Sequence, residues 1–125
     1  MAKVKEIKFA LVYVDDFDKA VAFYTKHFEF AKEFDMGSPE KPEVFGKIGD
    51  VGIWIGGGYE RRDVDTNTCR ATPMLGVDSV GDLFKQLKDD NVKVVQDEPV
   101  AMQGDMFWMQ FADPAGNVFD VLGGK

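Results

Sequence analysis

Few residues in this chain are of the types that enzyme chemistry or metal binding requires. Its 125 residues include one histidine, His27, and one cysteine, Cys69. His27 stands late in a predicted helix and outside its apolar stripe, so we expect it to be exposed near the helix C-terminus. Cys69 lies in a polar stretch without a histidine to activate it, which argues against a nucleophilic role. The carboxylate of Asp120, in the otherwise apolar run at residues 118–122, is the group to explain.

A turn of defined stereochemistry precedes Asp120. In the stretch Asp113-Pro114-Ala115-Gly116-Asn117, the proline fixes φ at the second turn position and the glycine can adopt a positive φ. The aspartate and asparagine side chains can bond to nearby backbone groups. Apolar runs on both sides predict a hairpin. Strand alternation then places Asp120 on the face opposite to Phe119 and Val121.

The elements before this hairpin form a first half of the chain. Residues 7–14 predict a strand covered on both faces, and Asp15 or Asp16 can cap the helix that follows. Strands are predicted at residues 31–36, 44–48 and 51–55. The apolar stripe of the helix is expected to contain Phe17, Ala20, Val21, Tyr24 and Phe28.

The second half repeats this order. A shift of 63 positions lays Val14-Asp15 on Val77-Asp78, which supports an internal duplication. Strands are predicted at residues 71–77, 92–95, 102–111 and 118–122, and a helix capped by Asp78 or Ser79 follows the first of them. The stripe of that helix is Val80, Leu83, Phe84 and Leu87. We therefore predict a single α+β domain, residues 1–125, built from two βαβββ modules at about residues 4–56 and 71–125 with a linker at about 57–70.

Charge and composition exclude several classes of partner. The net charge of −7 argues against nucleic acid, because phosphate binding needs clustered lysine and arginine. No apolar run approaches the length of a membrane span. One cysteine allows no intrachain disulfide, and the N-terminus lacks the pattern of a signal peptide. The expected location is the cytoplasm.

Two stretches resemble the vicinal oxygen chelate superfamily, the group of glyoxalases, bleomycin-resistance proteins and extradiol dioxygenases. Residues 14–24, VDDFDKAVAFY, are similar to its first strand-to-helix segment, and residues 111–120, FADPAGNVFD, to its closing hairpin. The paired βαβββ layout extends the resemblance over nearly the whole chain. The resemblance implies two modules whose sheets curve around a central cavity, with helices outside, and it implies a homodimer.

The resemblance also locates the positions at which metal-dependent members hold their ion. Here these positions are occupied by Phe9 on the first strand, Thr72 on the fifth, the stretch Ile53-Trp54-Ile55-Gly56 on the fourth, and Asp120 on the last. A catalytic divalent site needs three or four ligands from His, Glu, Asp or Cys. We therefore expect no metal and no other cofactor.

Strand alternation combined with the resemblance predicts the residues that line the cavity. They are Phe9, Leu11, Tyr13, Trp54, Thr72, Met74, Trp108, Gln110 and Asp120. An aromatic lining with few polar groups suits a flat or aromatic ligand. An ionised carboxylate in apolar surroundings favours a cationic or hydrogen-bond-donating group on that ligand.

Three functions remain open at this point. The first is a metal-independent protein that binds and sequesters a small organic molecule, such as an antibiotic. The second is a small-molecule enzyme, a lyase, isomerase or dioxygenase-like protein, in which Asp120 is a general base or a residual metal ligand and Tyr13 a proton donor. The third is a structural or regulatory dimer with a filled cavity, in which Asp120 bonds to Tyr13 or Gln110 between two buried tryptophans. In that case Met102, Met106 and Met109 are expected to fill gaps in the core.

Overall fold

The computed structural model describes residues 2–3, 5–6, 8–60 and 72–125. The chain divides into two compact units, Met1–Glu60 and Arg61–Lys125. Cys69 and most of the predicted linker lie outside the described residues. Within the described part of the chain, no helix is long and apolar enough to cross a membrane.

The first unit is a four-stranded sheet with one helix. Its elements are β1 (Phe9–Tyr13), α1 (Phe17–Phe28), β2 (Ala31–Gly37), β3 (Pro42–Ile48) and β4 (Val51–Gly56). The strands lie in the order β1-β4-β3-β2, with β1 parallel to β4 and the other neighbours antiparallel. A tight hairpin cannot join parallel neighbours, so the chain returns to β1 only after α1 and the β2–β3 hairpin.

Helix α1 begins where the sequence predicts, but it buries a different side. Asp16 caps the helix by accepting a hydrogen bond from the backbone amide of Lys19 at 3.1 Å. The predicted stripe is wrong in part, because Phe17, Val21 and Phe28 are only half-buried. The expected exposure of His27 is also wrong, since that side chain is 8% exposed. The buried residues of α1 are Ala20, Phe23, Tyr24 and His27.

The second unit has the same strand order. Its elements are β5 (Met74–Ser79), α2 (Val80–Asp89), β6 (Lys93–Val94), β7 (Val100–Ala101), β8 (Phe107–Ala112) and β9 (Val118–Gly124). The strands lie in the order β5-β9-β8-β6, and β7 also pairs with β8. Ser79 caps α2 by accepting a hydrogen bond from the Asp82 amide at 3.0 Å. The prediction of an α+β fold with two βαβββ modules is confirmed, with the second strand of the later module divided into β6 and β7.

The predicted strand at residues 102–111 is shorter than expected. Its first five residues form a turn that connects β7 to β8, closed by a hydrogen bond from the Met102 amide to the Met106 carbonyl at 2.8 Å. Gly104 has a φ of +66°, a conformation that residues with a Cβ rarely adopt. The expectation that Met102 and Met106 fill the core is wrong, because they are 49% and 40% exposed. Met109, in contrast, is fully buried.

The hairpin before β9 forms as predicted. Gly116 has a φ of +92°. The carboxylate of Asp113, 3% exposed, accepts hydrogen bonds at Oδ1 from the amides of Ala115 and Asn117, at 2.9 and 2.8 Å. Its Oδ2 accepts a third bond from Asn117 Nδ2 at 2.9 Å. Because these bonds hold the turn, they also set the register of β9 against β8 and thereby the place of Asp120.

Candidate functional site

Asp120 is held by two side chains of the second unit. In the sheet register it lies between Gln110 of β8 and Met74 of β5. Its Oδ1 accepts a hydrogen bond from Trp108 Nε1 at 2.7 Å, and its Oδ2 accepts one from the hydroxyl of Thr72. Trp108 is paired with Leu122, so its indole reaches Asp120 diagonally across the β8–β9 pair. Gln110, which the filled-cavity alternative offered as a partner of Asp120, is not one of these two partners.

The carboxylate of Asp120 is oriented by neutral donors. Within the described residues its partners are an indole N–H and a hydroxyl, and no lysine, arginine or histidine pairs with it. An ionised carboxylate can accept about four hydrogen bonds, so acceptor capacity remains on both oxygens. A half-buried carboxylate whose charge has no cationic partner is an acceptor for a charged donor.

Gln110 supplies a donor beside this acceptor. Its backbone amide donates to Gln96 Oε1 at 2.6 Å, which identifies that atom as the amide oxygen. Gln96 Nε2 must therefore donate to Gln110 Oε1, and these two atoms are 3.0 Å apart. The Nε2 group of Gln110 makes no hydrogen bond within the described residues. Since Gln110 and Asp120 are opposite each other in the ladder, an amide donor and a carboxylate acceptor lie side by side.

Most side chains next to Asp120 on this face of the second sheet are exposed or half-buried, whereas Ala112 and Val118, nearer the hairpin, are buried. Met74, the neighbour of Asp120 on β5, is 56% exposed. Trp108 and Thr72 are half-buried. The opposite face carries Met109, Phe111, Phe119 and Val121, all of them at most 1% exposed. The sequence parity that assigned Asp120, Trp108 and Gln110 to one face is confirmed by this alternation.

The first unit groups the other predicted residues into an aromatic cluster. The ring of Phe9 is 4.7 Å from that of Phe45 and 5.7 Å from that of Trp54, centre to centre. Phe34 extends the cluster, at 5.0 Å from Phe45. Sequence reasoning missed Phe34 and Phe45. Their signal was available, because β2–β3 and β3–β4 pairing puts Phe34, Phe45 and Trp54 opposite one another in one row.

Tyr13 belongs to a separate group at the end of β1. Its ring is 4.7 Å from the ring of Tyr59. Lys41 covers the Tyr59 ring at 3.9 Å and donates to the carbonyl of Gly58 at 2.6 Å. Leu11, between the cluster and this group, is 53% exposed and pairs with Trp54. Phe9, Leu11 and Trp54 are thus neighbours, and Tyr13 stacks with a tyrosine that the sequence did not single out.

The duplication relates the two groups by position. Leu11 pairs with Trp54 across the parallel strands of the first unit, and Met74 pairs with Asp120 across those of the second. Trp54 is therefore the counterpart of Asp120. The same position carries an indole in one module and a carboxylate in the other.

The positions at which the resemblance implies metal ligands do not form a ligand set. The described residues contain no group of three or more His, Cys, Asp or Glu placed to hold one ion. The ring of Phe9 packs over Gly52 and offers no donor atom. The hydroxyl of Thr72 is engaged by Asp120. One carboxylate with a neutral hydroxyl is not a donor set for a divalent ion of the kind that His and carboxylate ligands hold.

A surface groove of the first unit contains none of the predicted site residues. It has a volume of about 560 Å³ and lies between α1 and the strands β2 and β3. Its floor includes Val21 and Val44. The rim carries two lysines and two aspartates, of which Lys32 and Asp35 pair at 2.7 Å. The rim therefore favours neither sign of charge.

Comparison with known proteins identifies a family and a fold. The sequence profile of the Glyoxalase/Bleomycin resistance protein/Dioxygenase superfamily matches residues 6–121. Fosfomycin resistance protein FosX from Listeria monocytogenes has a TM-score of 0.79 at 17% identity, over 98% of this chain and 96% of that one. A glyoxylase/bleomycin resistance protein/dioxygenase domain from Frankia sp. EAN1pec has a TM-score of 0.76 at 14% identity, over 98% and 100%.

A glyoxalase I mutant from Zea mays has a TM-score of 0.73 at 20% identity, over 92% of this chain and 44% of that one. No curated protein sequence gives a significant match. At these identities the solved structures establish the fold alone.

Proposed function

Because the chain belongs to the Glyoxalase/Bleomycin resistance protein/Dioxygenase superfamily, we propose that it binds a small organic cation, aromatic in part, at the Asp120 face of its second unit. The observation that carries the proposal is the carboxylate of Asp120, oriented by Trp108 and Thr72 and without a cationic partner in the described residues. A ligand ammonium group would supply that partner through a charge-assisted hydrogen bond. The indole of Trp108 offers a flat apolar surface beside it.

The proposal is one of binding without a divalent ion. FosX from L. monocytogenes has been solved, as its E126Q mutant, with Mn(II) and 1S,2S-dihydroxypropylphosphonic acid. A phosphonate is an anion, and the charge of Asp120, which has no cationic partner among the described residues, would repel it. The residues at the expected metal positions, Phe9 and Thr72 among them, do not provide the ligands that would reverse that charge. The ligand of this chain is therefore of opposite charge to that of FosX, and sequestration of a cationic antibiotic is one form that this function would take.

The enzymatic alternative has less support. It assigns Asp120 as a general base with Tyr13 as a proton donor, but the hydrogen-bond partners of Asp120 are Thr72 and Trp108. A base that abstracts a proton must lie within hydrogen-bond reach of it in the bound substrate. The two hydrogen bonds that orient the Asp120 carboxylate would serve ligand binding as well as proton abstraction. Binding is the simpler assignment because it requires no proton donor.

A homodimer in the cytoplasm is the assembly that we propose. The first sheet exposes apolar side chains on the face of the aromatic cluster, including Leu11 at 53% and Phe34 at 49%. Large exposed apolar side chains such as these are found at protein interfaces. We assign it to a second copy of the chain.

Tryptophan fluorescence tests the binding proposal. Benzyltrimethylammonium and similar aromatic cations would be titrated against neutral analogues of the same shape and against an alkylphosphonate. A hydrogen bond to a charged group contributes about 1.5–3 kcal/mol, so we expect the cations to bind roughly ten- to a hundredfold more tightly than the neutral analogues. Asp120→Asn should abolish that preference, whereas Asp50→Asn, which removes the same charge from an exposed turn, should preserve it.

Three results would contradict the proposal. One is the absence of binding across the cation panel by a folded protein. Another is an equal preference for cations in wild type and Asp120→Asn. The third is one tightly held divalent ion per chain in elemental analysis of protein purified without chelator.

A further inference from the structure

The hairpin that joins β7 to β8 exposes apolar side chains on the same side of the sheet as Asp120. Val100 pairs with Trp108, and Ala101 with Phe107. Continuing this register by one residue places Met102 opposite Met106, in agreement with the hydrogen bond between their backbones. Alternation puts residues 100, 102, 106 and 108 on one face. Trp108 donates to Asp120, so this is the face of the carboxylate.

These side chains form an exposed apolar strip that begins at the carboxylate. Val100, Met102 and Met106 are 40%, 49% and 40% exposed. Trp108 stands between them and Asp120 along β8, because Asp120 is opposite Gln110, two residues beyond Trp108. Gln110 and Met106 are four positions apart in the sequence, which at about 3.4 Å per position gives a strip roughly 14 Å long.

We propose that this strip is a subsite for the apolar tail of the ligand, so that the ligand is an amphiphilic cation, with its ammonium group at Asp120 and its tail extending over Trp108 to Met102 and Met106. This inference rests on the proposed function, since the ammonium site is the same. It adds the chemical class of the ligand: a cation joined to an extended apolar chain of about ten carbons, judged from ordinary carbon–carbon geometry.

The chemistry of the strip favours a tail over a partner of fixed shape. Methionine side chains are unbranched and polarizable, so a pair of them adapts to a flexible chain and also contacts aromatic rings. Asp105 lies in the same turn, and Asp97 and Glu98 precede β7; all three are exposed. This acidic border repels an anionic membrane surface and attracts a cation. Charge and apolar surface therefore point to one ligand that carries both.

A length series of linear primary alkylamines, from propylamine to decylamine, tests the inference by isothermal titration calorimetry. Each methylene that becomes buried contributes about 0.8 kcal/mol, so affinity should rise up to about fourfold per added carbon until the chain reaches the methionine pair. The double variant Met102→Gln, Met106→Gln should lose this gain for the long amines alone. Met36→Gln, at a methionine of the first unit that is 38% exposed, is the matched control. Alkanols of equal length measure the contribution of the tail to affinity in the absence of the ammonium charge.

The outcomes separate the inference from the proposed function. The inference is supported if amine affinity rises with chain length only when both methionines are present, and if Asp120→Asn lowers the affinity for amines of every length. If short amines require Asp120 but long ones gain nothing, the cation site stands and the tail subsite is wrong. If no amine of any length binds the folded protein, the proposed function fails as well. If wild type is a dimer that the double methionine variant dissociates, a second copy covers the hairpin and the inference is overturned.

Discussion

The hydrogen bonds in the turn before β9 predict how far a substitution of Asp113 lowers the free energy of unfolding. The carboxylate of Asp113 is buried and accepts bonds from the backbone amides of Ala115 and Asn117 and from the Asn117 side chain. Asp113→Ala leaves both amides without this acceptor. Bonds to a charged group contribute about 1.5–3 kcal/mol each, and water can reach the half-buried Asn117, so we expect a loss of about 2–4 kcal/mol in the free energy of unfolding.

Urea denaturation followed by far-ultraviolet circular dichroism measures this loss. Asp113→Asn retains an oxygen that can accept from both amides but removes the charge, so it should cost about 1–2 kcal/mol, less than the alanine variant. Asp105→Ala, in the exposed turn between β7 and β8, is the control and should lie within about 0.5 kcal/mol of wild type. Equal slopes against denaturant would show that stability alone has changed. If Asp113→Ala is as stable as Asp105→Ala, the turn does not depend on this carboxylate and the reasoning is wrong.

Two further predictions concern packing and assembly. A Cβ on Gly123 would overlap the Val77 carbonyl oxygen, whereas one on Gly76 would meet nothing within 4 Å. Gly123→Ala should therefore push β5 away from β9 and lower the free energy of unfolding by about 1–3 kcal/mol. Gly76→Ala is the matched control and should change the urea midpoint little. Similar midpoints for the two variants would contradict this prediction. Phe34→Glu should weaken the proposed dimer, which light scattering after size exclusion can detect, and a wild-type monomer would refute the dimer outright.

Local sequence chemistry was sufficient for the closing hairpin and for the strand faces. In the hairpin, the residue types at Asp113, Pro114 and Gly116 restrict the backbone within five positions, so distant contacts had little left to decide. The face of Asp120 followed from an alternation of period two, which holds wherever a strand is regular. The succession of strands and helix along the chain in both modules followed from the repeat together with the family resemblance.

The sequence was insufficient where one pattern of apolar residues fitted more than one structure, as it did for the buried face of α1 and for the start of β8. Helix α1 has apolar residues around most of its circumference, so helical spacing could not decide between Phe28 and His27 as the buried residue. The residues at 102–106 alternate enough to resemble a strand, and the prediction gave too little weight to Gly104. Packing against the sheet decided the first case, and backbone geometry at a positive φ decided the second.

Asp120 shows which features the sequence determined and which the tertiary structure decided. By itself, the sequence determined that a carboxylate occupies the middle of the last strand. Strand alternation combined with the family resemblance placed it on one face with Trp108 and Gln110. The tertiary structure decided which of them it bonds. Gln110 is directly opposite but is held by Gln96, whereas the longer indole of Trp108 reaches the carboxylate diagonally and Thr72 reaches it from the segment before β5. Side-chain reach and competition among partners depend on three-dimensional placement, which residue order alone does not contain.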